Sequence, residues 1–297
     1  MKQLKKILVI VLALAMVLSL SACGAFETKM VKAAQKMSKA ESFRMDMDMD
    51  MDMSLSLMGE SLGIDANVEA KMDILTEPVK MGGNMTIDMM DEEIEFLFYM
   101  EQTDDGYTMY LSPDNGESWV RQDVEGVEAP KVSKTEQLGM LAKLAETFEE
   151  QGTEEIRGSA ATVYKGMIPG ADISAAIAES GALEQLAELQ DSAEIDLSGL
   201  DFSNLSDIPA TIAIDNKSGM ISRYTMEMTD IMQDFMGSIM DVVLAQVAKE
   251  SGMEGVDLAA LGLTVKVDKV EATVDLFDYD AVKTVEIPQA ALEAEAA

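Results

Sequence analysis

Between Phe43 and Leu57 the chain reads Phe-Arg-Met-Asp-Met-Asp-Met-Asp-Met-Asp-Met-Ser-Leu-Ser-Leu. Every odd position is apolar, and every even position between them is charged or carries a hydroxyl. A helix with this sequence would scatter its apolar residues around the whole cylinder. A strand sorts them onto one dry face and one wet face. Fully extended, the stretch spans about 50 Å, whereas an ordinary strand has about 5–6 residues. A strand of this length needs long neighbours, so the pattern predicts a large antiparallel sheet that must twist and curl to hold it.

Two sharper readings of the same residues fail or weaken. Asp48-x-Asp50-x-Asp52 begins like a calcium loop, but such a loop needs Gly at its sixth position and Glu at its twelfth. Met53 and Gly59 stand there instead. The methionines are soft ligands of the kind Cu(I) takes, but the chain has no His to assist them. Met45, Met47, Met49, Met51 and Met53 are therefore read as the dry face of a strand and the candidate lining for an apolar ligand. No metal site and no cofactor is expected.

Composition narrows the function classes. With 297 residues and 48% hydrophobic content the chain can bury a sizeable core. Its formal charge of −33 disfavours nucleic acid, whose phosphates need clustered Lys and Arg. It also means that the protein body would be repelled by an anionic membrane. The absence of His rules out the usual triad and the His zinc site, and no carboxylate pair stands out among 55 acidic residues. A non-enzymatic role is expected. The single Cys excludes an intrachain disulfide.

That cysteine lies in an informative place. Lys2, Lys5 and Lys6 precede an apolar run from Ile7 to Leu20, shorter than the roughly 20 residues a spanning helix needs. Leu20-Ser21-Ala22-Cys23-Gly24 follows and resembles the bacterial lipobox. The resemblance implies a signal peptide over 1–22, cleavage before Cys23, and a lipid on Cys23 that anchors a single domain over 23–297. The location implied is the extracytoplasmic face of the cell membrane, with the membrane as partner. Acyl chains contribute about 0.8 kcal/mol per buried methylene, so a multiply acylated Cys holds firmly.

Beyond the anchor, Glu27–Glu41 reads as an amphipathic helix. After the long strand, alternation predicts strands over 64–74, 79–89, 94–102, 107–111 and 119–122, with Gly82-Gly83 as a bend or bulge. Residues 123–131 read as a linker. Ser133-x-x-Glu136 opens a helix carrying Leu138, Leu141, Leu144, Ala145 and Phe148, stopped by Gly152. A strand over 156–168 follows, then a helix capped by Asp172 that runs past Leu183 to Leu189, and looser chain over 191–207. Ala210–Ile214 and Met220–Met228 form a hairpin. Asp230–Ser251 is a helix, Leu263–Leu276 a strand, and the tail is expected to fray.

The order of these parts resembles Gram-positive surface lipoproteins of the lipoprotein-carrier (LolA/LppX-like) fold. The parts that carry the likeness are a lipobox, a short helix, a long meander, middle helices, an Ile-Asp-Asn-Lys-Ser-Gly hairpin and a closing Phe-Asp-Tyr-Asp…Ile-Pro segment. The resemblance implies an α+β fold: a curled antiparallel sheet, a half-barrel, with helices packed on its concave side. It also implies a carrier for lipid or acyl chains, with the helix over 230–251 as an insertion in the pattern. The alternative is a surface lipoprotein that works as a sensor or structural module without a small ligand. No protein partner is legible in the residues.

Overall fold

The computed structural model describes residues 25–57, 60–90, 92–104, 106–125, 147–179, 200, 202–250 and 264–295. The elements are α1 (Ala25–Met37), β1 (Ser42–Leu57), β2 (Glu60–Thr76), β3 (Val79–Met89), β4 (Glu92–Gln102), β5 (Gly106–Ser112) and β6 (Val120–Glu125). They continue as β7 (Glu149–Ile156), β8 (Ser159–Ile168), α2 (Gly170–Glu179), β9 (Ile208–Asp215), β10 (Ile221–Glu227), α3 (Thr229–Glu250), β11 (Thr264–Phe277) and α4 (Gln289–Leu292). Eleven strands hydrogen-bond in the antiparallel order β6-β5-β4-β3-β2-β1-β11-β10-β9-β8-β7, so the expected α+β class with one large open sheet holds. Contacts divide the chain into two units.

The first unit contains α1, β7, β8, most of β9 and the start of β10. Two expectations fail here. The helix expected to run through Phe148 to Gly152 gives way to β7 from Glu149, and its earlier part lies outside the described residues. Gly152, at φ +126°, sits where the β7–β8 register slips, so it makes a bulge rather than a helix stop. The single strand expected over 156–168 is the second arm of a hairpin. Arg157 and Gly158 turn it with φ of 49° and 78°, the left-handed pair that matches strand twist. Ile156, Ala161, Val163 and Ala213 form one buried core cluster. α1 is held by Lys29, whose Nζ donates to Tyr164 Oη at 2.6 Å.

The second unit contains β1 to β6, α2, the end of β10, α3, β11 and α4. β1 pairs with β2 without a slip from Ser42↔Leu75 to Leu57↔Glu60. Ahead of it, the helix expected to reach Glu41 ends at Met37. Tertiary partners take the backbone groups a longer helix would use. Thr76 Oγ1 donates to the Ala40 carbonyl at 2.7 Å, and the Glu41 N–H donates to Asp280 at 2.7 Å.

β1 also pairs with β11, and here one irregularity falls between Asp52 and Met53. Met51 faces Val270, but Met53 faces Val267, so Asp268 is the extra residue of a bulge. The sequence of β11 explains it. Val265 and Val267 are apolar at odd positions, and Val270, Ala272, Val274 and Leu276 at even ones. Without the bulge one set would turn to the wet face.

The Gly82-Gly83 pair makes no bulge, because β3 pairs with both β2 and β4 in unbroken register. The reason for the glycines is close approach. A Cβ on Gly83 would stand 1.9 Å from the Lys71 carbonyl oxygen, and one on Gly82 would stand 2.3 Å from Tyr99 Cδ1. The tail differs from expectation too. Instead of fraying after Pro288, it forms α4, and Ala291 is buried with Tyr110 and Ile287 against Tyr99 and Trp119.

Candidate apolar binding face

Directly paired residues of antiparallel strands share a face, so the register of the second unit sorts its side chains. Met45, Met47, Met49, Met51 and Met53 stand together with Met72, Ala70, Val68, Ala66 and Ile64 of β2. Met85, Ile87 and Met89 extend that face onto β3, and Phe98, Phe96 and Ile94 onto β4. Leu276, Val274, Ala272, Val270 and Val267 extend it onto β11. The other face takes Arg44, Asp46, Asp48, Asp50 and Asp52, paired with Asp73, Lys71, Glu69, Asn67 and Asp65.

Cover on the apolar face is uneven. Met45 and Met47 are buried at 8% exposure, and Met72, Phe96 and Phe98 around them are buried too. Further along β1, Met49, Met51 and Met53 are only half-buried. Across β3 and β4 the same rows open further, with Met89 42% and Ile94 36% exposed, whereas on the other side Val267, Val270 and Ala272 of β11 are buried. The five methionines read from the sequence therefore share a face but divide into a covered pair and a half-covered trio.

α3 adds apolar surface of the same kind. Met232, Phe235, Met236, Ile239 and Met240 are all half-buried and none is buried. The helix is fixed to the open end of β11. The Gln233 side chain donates from Nε2 to the Val265 carbonyl at 3.1 Å, and its Oε1 accepts the Val267 N–H at 2.8 Å. Thr229 Oγ1 accepts the Val270 N–H at 3.0 Å. Where β10 ends at Glu227, one side-chain amide thus pairs with the exposed strand edge as a peptide group would. Periodicity could not disclose this, because Gln233 is unremarkable on a helix. Phe202 stacks on Phe235 at 5.0 Å, and Ser206 N–H donates to Asp234 at 2.8 Å. α2 joins this cluster, but Asp172 is not its cap. Asp207 accepts the Gly170 N–H at 2.8 Å, and Gly170 is needed because a Cβ there would meet the Leu205 carbonyl at 1.8 Å.

The wet face is occupied by ion pairs and hydrogen bonds. Arg44 donates from Nε to Asp73 at 2.9 Å and from a terminal nitrogen to Asp278 at 2.8 Å, which holds the guanidinium more firmly protonated than usual. Asp50, the centre of the calcium-like run, accepts from Asn67 at 3.0 Å and from Lys269 at 3.0 Å. The Asn67 bond first and the Lys269 bond second hold its carboxyl below the ordinary aspartate range. A cleft of about 500 Å³ opens among residues of this wet face. Cys23 and residues 1–22 lie outside the described residues.

Residues 26–235 match the Family of unknown function (DUF6612). No curated protein matches the chain. Among solved structures, the lipoprotein LppX of Mycobacterium tuberculosis is similar at 14% identity and a TM-score of 0.40, over 87% of this chain and 97% of that one. LprF of Mycobacterium bovis is similar at 14% identity and a TM-score of 0.40, over 89% of this chain and 96% of its own. Likeness at this level transfers no binding residue.

Proposed function

We propose that this chain, which belongs to the Family of unknown function (DUF6612), is a lipid-anchored extracytoplasmic binding protein for an apolar ligand, a lipid or acyl chain. The observation that carries the reading is the half-covered end of the methionine face. Met49, Met51 and Met53, with Met89 and Ile94 further along their rows, leave apolar side chains of one face partly in water. Apolar side chains grouped in water on one sheet face are the kind of surface that takes an apolar partner. Met side chains are unbranched and polarisable, so they adapt to acyl chains of different length and branching. Binding would work by burial, at about 25 cal/mol per Å² of apolar surface removed from water. Cys23 would hold the chain at the membrane from which such ligands come. No step of this function needs a nucleophile, an acid or a base.

Native mass spectrometry of the chain isolated from its membrane tests the reading. Lipid adducts should be present, and Met51→Asp should lose them. A chain that is free of adducts and takes up no added palmitate or phospholipid would favour a ligand-free surface module instead. The anchor has its own test: Cys23→Ser should abolish incorporation of labelled fatty acid.

A further inference from the structure

The cleft on the wet face is built from two adjacent rows of the sheet and a wall from the C-terminal segment. One row runs Arg44, Asp73, Gly82, Tyr99 and the next runs Asp46, Lys71, Asn84. Thr284, Val285 and Glu286 form the wall. The volume, about 500 Å³, falls within the roughly 300–1,000 Å³ of small-molecule sites. Gly82 lets the cleft take this form. A Cβ there would stand 2.3 Å from Tyr99 Cδ1 and 3.0 Å from Val285 Cγ1, so only glycine lets the ring and the wall close over the strand.

The two cations of the cleft are already paired with carboxylates. Arg44 lies between Asp73 and Asp278, and Lys71 pairs with Glu69 at 3.6 Å. An anion would enter against Asp46, Asp73 and Glu286, in a chain of net charge −33. A cation would meet Arg44 and Lys71 in the same cleft. What the cleft offers is a dense set of donors and acceptors with little net demand for charge. Asn84 supplies both kinds, the carboxylates accept, and Lys71 and Thr284 donate. Tyr99 supplies an aromatic surface beside them.

We propose that this cleft binds a neutral polyhydroxylated ligand, a mono- or disaccharide, whose hydroxyls pair with Asn84, Asp46 and Lys71 and whose C–H face lies on Tyr99. The site is on the opposite face of the sheet from the methionines and stands independent of the apolar-ligand reading.

The chain carries its own reporter. Trp119 is the single tryptophan, and its ring centroid is 5.8 Å from that of Tyr99. The test is titration of the full chain, purified in a sugar-free polyoxyethylene detergent, with maltose, cellobiose and N,N′-diacetylchitobiose, followed by Trp119 fluorescence and calorimetry. At least one sugar should bind with a Kd of about 1 mM or tighter. Asn84→Ala, at an exposed position, should weaken it about tenfold with an unchanged thermal melt. Tyr99→Leu should weaken it further by calorimetry. Choline and inorganic phosphate should bind more weakly than the sugar. The proposal is overturned if no sugar binds at a Kd below about 10 mM. It is also overturned if choline or phosphate binds more tightly than every sugar, or if both variants leave sugar affinity unchanged. Lipid adducts are read separately, so either function can fail without the other.

Discussion

The two ends of β1 carry the same residues in the same alternation and meet different fates. Met45 and Met47 are buried under well-packed neighbours, whereas Met49, Met51 and Met53 remain half in water. The wet side differs along the strand as well. At the first end Arg44 ties β1 to Asp73 and to Asp278, while on the dry side the ring of Phe43 lies 6.0 Å from that of Tyr279. Beyond the middle, the strand edge of β11 is closed by a helix side chain rather than by a strand. Alternation thus sets which way a side chain faces, and the length and placement of the neighbours set whether anything covers it. One end works as core and the other is available as surface.

The sharpest way to break this comparison is a matched pair of substitutions. Met47→Ala opens a hole in packed surroundings and should cost about 2–5 kcal/mol. Met51→Ala, half-buried already, should cost about 1 kcal/mol or less. Urea melts measure both, and equal costs would mean that the two ends are covered alike.

Gln233→Leu probes how the open end is held. It leaves the Val265 carbonyl and the Val267 N–H without their partner, at about 1–3 kcal/mol. Amide exchange at Val267 should quicken while exchange at Val274 stays slow. Uniform quickening would show that α3 supports the whole sheet rather than one edge.

The covered end should respond to alkali. Desolvation pushes Tyr224 up to about 12, and it pushes Tyr279 up as well. In the unfolded chain both tyrosines ionise near 10.0. Between about pH 10 and 12 the unfolded state therefore binds fewer protons than the folded one, and stability falls as pH rises. Below pH 10 their contribution is fully present. The share of the tyrosinate absorbance that Tyr224→Phe and Tyr279→Phe remove should appear together with unfolding, and Tyr279→Phe should blunt the loss of stability.

The smallest effect belongs to the wet face. Asp50→Asn keeps a partner for Asn67 and loses the charge facing Lys269. It should cost about 0.5 kcal/mol, because exposed pairs are screened by solvent and salt. A cost near that of Met47→Ala would mean that the carboxylate is structural.

Much of the fold was legible because its signals are local. The unbroken period of Phe43–Leu57 identifies a strand and its two faces. The apolar positions of β11 even slip phase between Val267 and Val270, which is the bulge written in sequence. What stayed hidden depends on distant partners. Nothing near Ala40 says that Thr76 and Asp280 will claim the backbone around it and end α1 early. Nothing near Gly82 says that a tyrosine ring seventeen residues on will lie across it. Phe148 continues a helical period into β7, where pairing with β8 overrides local propensity. The candidate face was visible as five methionines, but not its division into covered and half-covered ends, since period two carries no information on what packs above.

The most direct test of that division is methionine-methyl NMR on the full chain with added palmitate. The signals of Met49, Met51 and Met53 should shift in step with the lipid, while those of Met45 and Met47 stay in place. Shifts spread evenly over all five, or none at saturating lipid, would contradict the assignment of the half-covered end as the binding face.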